Sequence, residues 1–109
     1  MDGKKFFVEP ANDGIEKPII DKLTENKCKI VFEKDFADYI IKCVMNPGVT
    51  RASGYIMVID KTNGEMVAKS PEETGQRAIW NGYANPSMLA MKKIAKKHIL
   101  EILKKLETT

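Results

Sequence analysis

The sequence is poor in the residue types that metal, disulfide and nucleotide sites require. Its 109 residues include only two cysteines, Cys28 and Cys43, and one histidine, His98. Two cysteines are too few for a disulfide scaffold, and they lack the close spacing of a zinc site or a redox pair. The seven glycines are dispersed and form neither a Gly-x-Gly-x-x-Gly nor a Walker A pattern. We therefore expect no metal site, no cofactor and no nucleotide site. Two buried thiols are the simpler interpretation of the cysteines, and a single bridge between neighbouring strands stays open.

Long apolar runs are also missing. No stretch approaches the roughly 20 residues needed to cross a bilayer, and the N-terminus lacks the basic, apolar and small-residue pattern of a signal peptide. We expect a soluble chain without a transmembrane segment. The 43% of hydrophobic residues are enough for one core, so a single domain over residues 1–109 is predicted.

Arginine is scarce, and the positive charge is unevenly placed. The chain has sixteen lysines, two arginines and a net charge of +3, and residues 85–109 alone carry +4. Arginine is the residue expected for bidentate contacts to bases and phosphates, so sequence-specific recognition of nucleic acid is not expected. A solvated helix face is the simpler interpretation of the lysines. The alternative is a phosphate-contacting face for RNA, DNA or anionic lipid.

Hydrophobic periodicity and turn residues predict five strands and two helices. The predicted strands cover about 4–8, 29–33, 38–45, 54–60 and 65–70, and the helices cover about 15–26 and 86–107. The order is β-α-β-β-β-β-α, and the polar segment 71–84 is predicted to be irregular. The fold class is α+β, a two-layer sandwich with a mostly antiparallel sheet and a long C-terminal helix.

Both helices carry start signals. Asp13 and Glu16 have the spacing of a capping box, and Pro18 shifts the regular part of the first helix toward Lys17. Asn85 is a good N-cap residue, and the proline after it suits the first helical position. The apolar stripe of the last helix leaves the lysines mostly on the opposite face. It consists of Met88, Met91, Ala95, His98, Ile99, Ile102, Leu103 and Leu106.

The loop 75–83 holds the only tryptophan of the chain. Arg77, Trp80 and Tyr83 belong to residue types enriched at interaction hot spots. Trp80 either fills the core beneath the loop, which is the slightly simpler interpretation, or is exposed. If it is exposed, these three residues are the predicted protein interface. The alternative is a nucleic-acid face on the last helix, formed by Lys92, Lys93, Lys96 and Lys97.

No residue pattern indicates catalysis. His98 lies on or beside the apolar stripe of the last helix, and the sequence offers no nearby cluster of His, Cys, Asp or Glu. A partly packed structural histidine is the favoured interpretation. Because no set of nucleophile, base and orienting residue is visible, we expect no catalytic residue and no enzyme.

Two segments resemble a recurring bacterial pattern. The run ADYIIK at 37–42 is followed by a hairpin that carries DKTNGE at 60–65 and then a serine near the strand end. In these features residues 4–107 resemble the envelope lipoprotein modules related to the N-terminal domain of TolB and to the curli-secretion lipoproteins. The resemblance implies an α+β sandwich that is not an enzyme and that assists assembly or transport at the outer membrane. The chain differs from those modules in having no lipid-attachment cysteine at its start.

The sequence therefore favours a non-catalytic binding or assembly module of the bacterial envelope with a protein partner. A periplasmic or outer-membrane-associated location is expected in preference to the cytoplasm. The alternative is a nucleic-acid-binding domain that uses the lysine face of the last helix, for which binding should weaken steeply with added salt.

Overall fold

The computed structural model describes residues 3–82 and 84–108, and it consists of a curled sheet packed against two helices. The strands are β1 (Lys5–Val8), β2 (Lys29–Ile30), β3 (Tyr39–Asn46), β4 (Arg51–Asp60), β5 (Met66–Lys69) and β6 (Glu73–Gln76). The helices are α1 (Lys17–Glu25) and α2 (Pro86–Glu107), and three single 3₁₀ turns cover Asn12–Gly14, Lys34–Phe36 and Ile79–Asn81. The predicted α+β class and the long C-terminal helix are confirmed.

The sheet is mixed, so the prediction of a mostly antiparallel sheet was wrong. The strand order is β2-β1-β3-β4-β5, with β6 also paired to β4. β1 runs parallel to both of its neighbours, whereas β4 is antiparallel to its three partners. The connection through α1 returns the chain to the starting end of β1 before β2 begins, which makes that pair parallel. The connection from β2 to β3 also brings the chain back to the starting end of β1, so β3 runs parallel to β1 as well.

β6 lies in the segment predicted to be irregular. The second half of β4 pairs with β5, and the first half pairs with β6, with Arg51 opposite Gln76. At the joint between β5 and β6, the buried Ser70 Oγ accepts a hydrogen bond from the Ile56 N–H at 3.0 Å. It also donates to the Pro71 carbonyl at 3.0 Å. β5 and β6 therefore follow one another along one edge of β4, with a break at a proline that has no N–H to donate.

The first helix begins at Lys17 with Pro18 in its first turn, as predicted, but without the predicted capping box. Asp13 has a φ of 60°, in the left-handed region, and lies in the preceding 3₁₀ turn. Glu16 Oε1 accepts a hydrogen bond from the Ala11 N–H at 3.0 Å. Glu16 thus fixes the loop that enters the helix instead of closing a box with Asp13.

The core lies between the sheet and the two helices. β1 contributes Phe6. Six of the eight residues of the predicted α2 stripe are buried, whereas Met88 and His98 are half-buried, and Ala90 and Ile94 belong to the buried face as well. Within the ranges described, no helix is long and apolar enough to cross a membrane. The largest side chains that are fully buried are Phe6, Ile19, Leu23, Ile41, Ile56, Val58, Met91, Ile94 and Ile99.

Candidate functional site

The tryptophan turn, Ile79–Asn81, projects two large apolar side chains into solvent. Trp80 is 83% exposed and Ile79 is 73% exposed. The interpretation that Trp80 fills the core beneath the loop was therefore wrong. Single exposed apolar residues are normal on a protein surface, and Phe32 and Val49 of this chain are also exposed. Exposed apolar residues mark candidate contact surfaces when they cluster, as Ile79 and Trp80 do on this turn.

The Asn81 side chain holds the tryptophan turn in place. Its Oδ1 accepts hydrogen bonds from the backbone N–H groups of Ala78 at 3.1 Å and Ala84 at 3.3 Å. Its Nδ2 donates to the Gln76 carbonyl at 3.0 Å. Gly82 then ends the turn with a φ of 68°, which suits glycine. The backbone that carries Trp80 is thus anchored at both ends, so the indole is presented from a defined position.

Trp80 and the first half of α2 border a groove of about 420 Å³. The helix side of the groove is formed by Leu89, Lys92, Lys93 and Lys96. They recur at intervals of three or four residues, the spacing that places side chains on one helix face. The structure therefore brings the predicted interface tryptophan together with three of the four lysines predicted as an alternative face. The lining residues are Gln76, Trp80, Asn81, Leu89, Lys92, Lys93 and Lys96; we call this the Trp80 groove.

Arg77 and Lys97, two other predicted binding residues, do not line the Trp80 groove. Arg77 is exposed at the end of β6, and its backbone N–H donates to the Thr50 carbonyl at 2.7 Å. Lys97 forms an ion pair with Glu73, in which its Nζ lies 3.7 Å from Glu73 Oε1. Tyr83 lies outside the described residues.

Sequence reasoning did not select Gln76, Asn81 or Leu89 as site residues. A signal existed for two of them. The Asn-Gly pair after Trp80 is a turn signal that would have placed the indole near the tip of a turn. Leu89 lies three residues before Lys92, the spacing of one helix face.

Positive charge in the Trp80 groove is only partly balanced. Lys93 Nζ donates to the Thr74 carbonyl at 2.6 Å. Among the residues the structure covers, no carboxylate oxygen lies within 4.0 Å of Lys92 or Lys96. Asp21 of α1 lines a neighbouring cleft together with Lys92 but forms no ion pair with it. None of the described lining residues of the Trp80 groove is acidic, so Lys92 and Lys96 keep their charge exposed there.

Close packing of β6 against α2 positions the two sides of the groove. A Cβ atom at Gly75 would lie 2.6 Å from the Ala90 nitrogen and 2.8 Å from Leu89 Cβ, and closer still to the Pro86 carbonyl oxygen. Real Cβ atoms do not approach backbone atoms so closely. Glycine at position 75 is therefore what allows the strand to lie against the start of the helix.

Glu73 and His98 form a polar pair that also joins β6 to α2. His98 Nε2 lies 2.7 Å from Glu73 Oε2, and the side chains are 13% and 19% exposed. The hydrogen bond from His98 is the main cause that lowers the pKa of the Glu73 carboxyl; burial opposes the shift, and the charge of Lys97 adds to it. His98 is thus packed and engaged with one carboxylate, and neither His98 nor Glu73 lines the Trp80 groove.

The Glu73–His98 pair is expected to stabilise the fold less in acid. A carboxyl whose folded pKa lies below its ordinary value of 4.5 contributes stability above that pH and loses it as the pH falls through the folded pKa. In urea unfolding, Glu73→Gln should be less stable than the wild type at about pH 6, and the gap should shrink by about pH 3. The neighbouring Glu72→Gln is the control and should show little gap at either pH. A gap for Glu73→Gln that stays constant over this range would contradict the assignment.

A second cavity, of about 520 Å³, adjoins Cys43 and Met45 of β3. Burial, followed by the charges of Glu16 and Glu9, raises the pKa of the Cys43 thiol to about 12. A thiol that stays protonated at neutral pH is a poor nucleophile and a poor metal ligand. In the part of the chain described, no disulfide joins Cys28 and Cys43, and no group of His, Cys, Asp or Glu could hold a metal ion.

No family model and no curated protein sequence matches this chain. Several solved structures do. A candidate lipoprotein from Caulobacter crescentus CB15 has a TM-score of 0.60 at 19% identity, over 95% of this chain and 92% of its own. TolB from Acinetobacter baumannii has a TM-score of 0.61 at 8% identity, over 99% of this chain and 29% of its own. A minor lipoprotein from Acinetobacter baumannii has a TM-score of 0.53 at 13% identity, over 96% of this chain and 91% of its own.

These similarities concern the fold, since all three identities lie below 20%. The chain corresponds to less than a third of TolB but to most of each lipoprotein. The resemblance found in the sequence is confirmed at this level: the chain shares its α+β fold with a candidate lipoprotein, with a minor lipoprotein and with a part of TolB.

Proposed function

We propose that this chain is a non-catalytic binding or assembly module of the bacterial envelope, and that a protein partner docks at the Trp80 groove. The observation that carries the proposal is the exposure of Trp80, 83%, on a turn anchored by Asn81. The turn lies next to Lys92 and Lys96, which form no ion pair with any described residue. Tryptophan is the residue type most enriched among interface hot spots. An exposed indole held in one place loses little conformational freedom on binding, which favours affinity.

The structural neighbours support the envelope part of the proposal. Two of them are lipoproteins that match this chain over nearly their whole length, and the third is TolB. A periplasmic or outer-membrane-associated location is therefore proposed.

Three features support a non-catalytic role. Among the described residues that line the Trp80 groove, none has a carboxylate, imidazole, thiol or hydroxyl group. Glu73 and His98 bind each other. The Cys43 thiol has a pKa of about 12, raised mainly by burial. None of these sites combines a nucleophile with a base and an orienting group.

One observation favours a second candidate, a domain that binds single-stranded nucleic acid. An aromatic platform beside lysines is the combination that such proteins use to stack bases and contact phosphates. Two of the four predicted lysines are, however, already engaged: Lys93 with the Thr74 carbonyl and Lys97 with Glu73. The remaining pair, Lys92 and Lys96, is small for a phosphate-tracking face, so the protein interface is preferred.

The proposal is tested by photocrosslinking from position 80 in cells of the native source. Benzoylphenylalanine in place of Trp80 keeps an aromatic side chain at the groove and should give one discrete protein adduct. The matched control is the same residue in place of Phe36, which is 63% exposed. Phe36 belongs to the turn beside the Asp60 end of β4, since Lys61 Nζ donates to the Asp35 carbonyl. The Trp80 groove adjoins the Arg51 end.

The position 80 adduct should be lost in a Lys92→Glu, Lys96→Glu variant. It should persist in Lys104→Glu, Lys105→Glu, which reverses two exposed charges farther along the same helix. A nuclease-sensitive adduct would replace the proposal with the nucleic-acid candidate. Absence of an adduct from position 80, or equal adducts from positions 80 and 36, would contradict it.

A further inference from the structure

The Trp80 groove combines apolar surface with positive charge. We infer that it receives an acidic segment of a partner protein, with one apolar side chain between Trp80 and Leu89 and carboxylates at Lys92 and Lys96. This inference rests on the proposed function and adds the chemistry of the partner.

Among the described residues, no carboxylate oxygen lies within ion-pair distance of Lys92 or Lys96 in the groove. Lys92 and Lys96 stand four residues apart on α2, where like charges repel. Some other lysines of the chain do have a carboxylate nearby: Glu73 lies 3.7 Å from Lys97, and Glu9 lies 3.5 Å from Lys34. A partner that brings carboxylates would supply to Lys92 and Lys96 what the chain supplies to those lysines. Complementary charge of this kind also speeds association and excludes wrong partners.

The shape of the groove favours an inserted side chain over a flat surface. Its volume of about 420 Å³ lies in the range of concave ligand sites. Trp80 and Leu89 line the groove from two different elements, the tryptophan turn and α2. A bilayer surface is met by apolar side chains that lie together along one face. A protruding aromatic or branched side chain fits the groove better than a membrane does.

The small number of free cations favours a short acidic segment over nucleic acid. The cations among the described lining residues are all lysines, which act as point charges on flexible stems and pair with carboxylate or phosphate. Lys93 already donates to the Thr74 carbonyl, which leaves Lys92 and Lys96. Two cations match a few carboxylates of an extended peptide better than the repeating phosphates of a nucleic acid.

The test uses the intrinsic fluorescence of Trp80, the only tryptophan of the chain. The probe is a short peptide with a central phenylalanine flanked on each side by aspartate and glutamate. The matched peptide carries asparagine and glutamine instead of the acids. The acidic peptide should shift the Trp80 emission to the blue and bind about five- to tenfold more tightly than the amide peptide at low salt. Replacement of the phenylalanine by serine should remove the blue shift.

Lys92→Glu, Lys96→Glu should abolish the preference for the acidic peptide, whereas Lys104→Glu, Lys105→Glu should keep it. Thermal unfolding followed by circular dichroism confirms that both variants fold. Equal binding of the two peptides would overturn the inference. A response only to phosphatidylglycerol vesicles or to oligothymidine would also overturn it and identify a lipid or nucleic-acid surface. Photocrosslinking separates the two ideas when the peptide test is negative. If position 80 still captures a protein, only the inference about an acidic segment fails. If position 80 captures no protein, the proposed function fails as well.

Discussion

Replacing Phe6 with alanine is expected to lower the free energy of unfolding by about 3–5 kcal/mol. Phe6 is fully buried in β1, the strand that is parallel to both neighbours, and its ring centroid lies 5.5 Å from that of Tyr39. The substitution removes the apolar contact between the centre of the sheet and the helices and leaves a cavity. Because domains of this size are stable by only about 5–15 kcal/mol, the loss would consume much of the total.

Urea unfolding of Phe6→Ala beside Phe36→Ala measures this effect. Both variants lose the same atoms, but Phe36 is 63% exposed, so its substitution should change stability by no more than about 0.5 kcal/mol. If Phe6→Ala does not fold, Phe6→Leu takes its place. Because it removes fewer atoms, it should lower the free energy of unfolding by less than the value expected for Phe6→Ala. Equal effects of the Phe6 and Phe36 substitutions would contradict the placement of β1 in the core.

Replacing Gly75 with alanine is expected to cost about 1–3 kcal/mol, because the added methyl group overpacks the contact between β6 and α2. The reason is steric and not conformational, since Gly75 does not have a positive φ. The atoms that the new Cβ would meet include the backbone of Pro86 and Ala90, which cannot rotate aside as a flexible side chain can. The strand and the helix must therefore move apart.

Gln76→Ala is the matched control for Gly75→Ala. It changes the next residue of the same strand, where the side chain is exposed, and should alter the stability by about 0.5 kcal/mol or less. Thermal unfolding of the two variants compares them directly. A Gly75→Ala protein as stable as Gln76→Ala would show that β6 and α2 are not in the close contact described.

Local signals in the sequence were sufficient to predict α2 and the β4–β5 hairpin. Asn85 caps α2 by accepting a hydrogen bond from the Ser87 N–H at 2.9 Å, and the apolar stripe faces the core along the whole helix. In the hairpin, Gly64 has a φ of 74° and its N–H donates to the Asp60 carbonyl at 2.8 Å. Caps, turns and periodicity depend on residues close in sequence, so they can be read without knowledge of the fold.

The features that sequence reasoning missed depend on contacts between distant residues. β6 has the sequence ETGQ, which has little strand preference, and it is a strand because the first half of β4 has an open edge. The parallel pairing of β1 depends on the path of two connections. The exposure of Trp80 depends on whether its loop folds over the core, which neither its composition nor its spacing determines.

Trp80 and the helix lysines share one positively charged groove. The most direct test compares quenching of Trp80 fluorescence by iodide and by caesium at equal ionic strength, each relative to N-acetyltryptophanamide. A positive local potential concentrates the anion and repels the cation. Iodide should therefore quench at least about twice as efficiently as caesium after this normalisation.

Lys92→Glu, Lys96→Glu should remove or reverse the preference for iodide, and Lys104→Glu, Lys105→Glu should leave it unchanged. Added salt should reduce the preference, because screening shortens the range of the lysine charges. An emission that neither ion quenches would mean that Trp80 is buried, and a preference for iodide that survives Lys92→Glu, Lys96→Glu would mean that the groove does not exist as described.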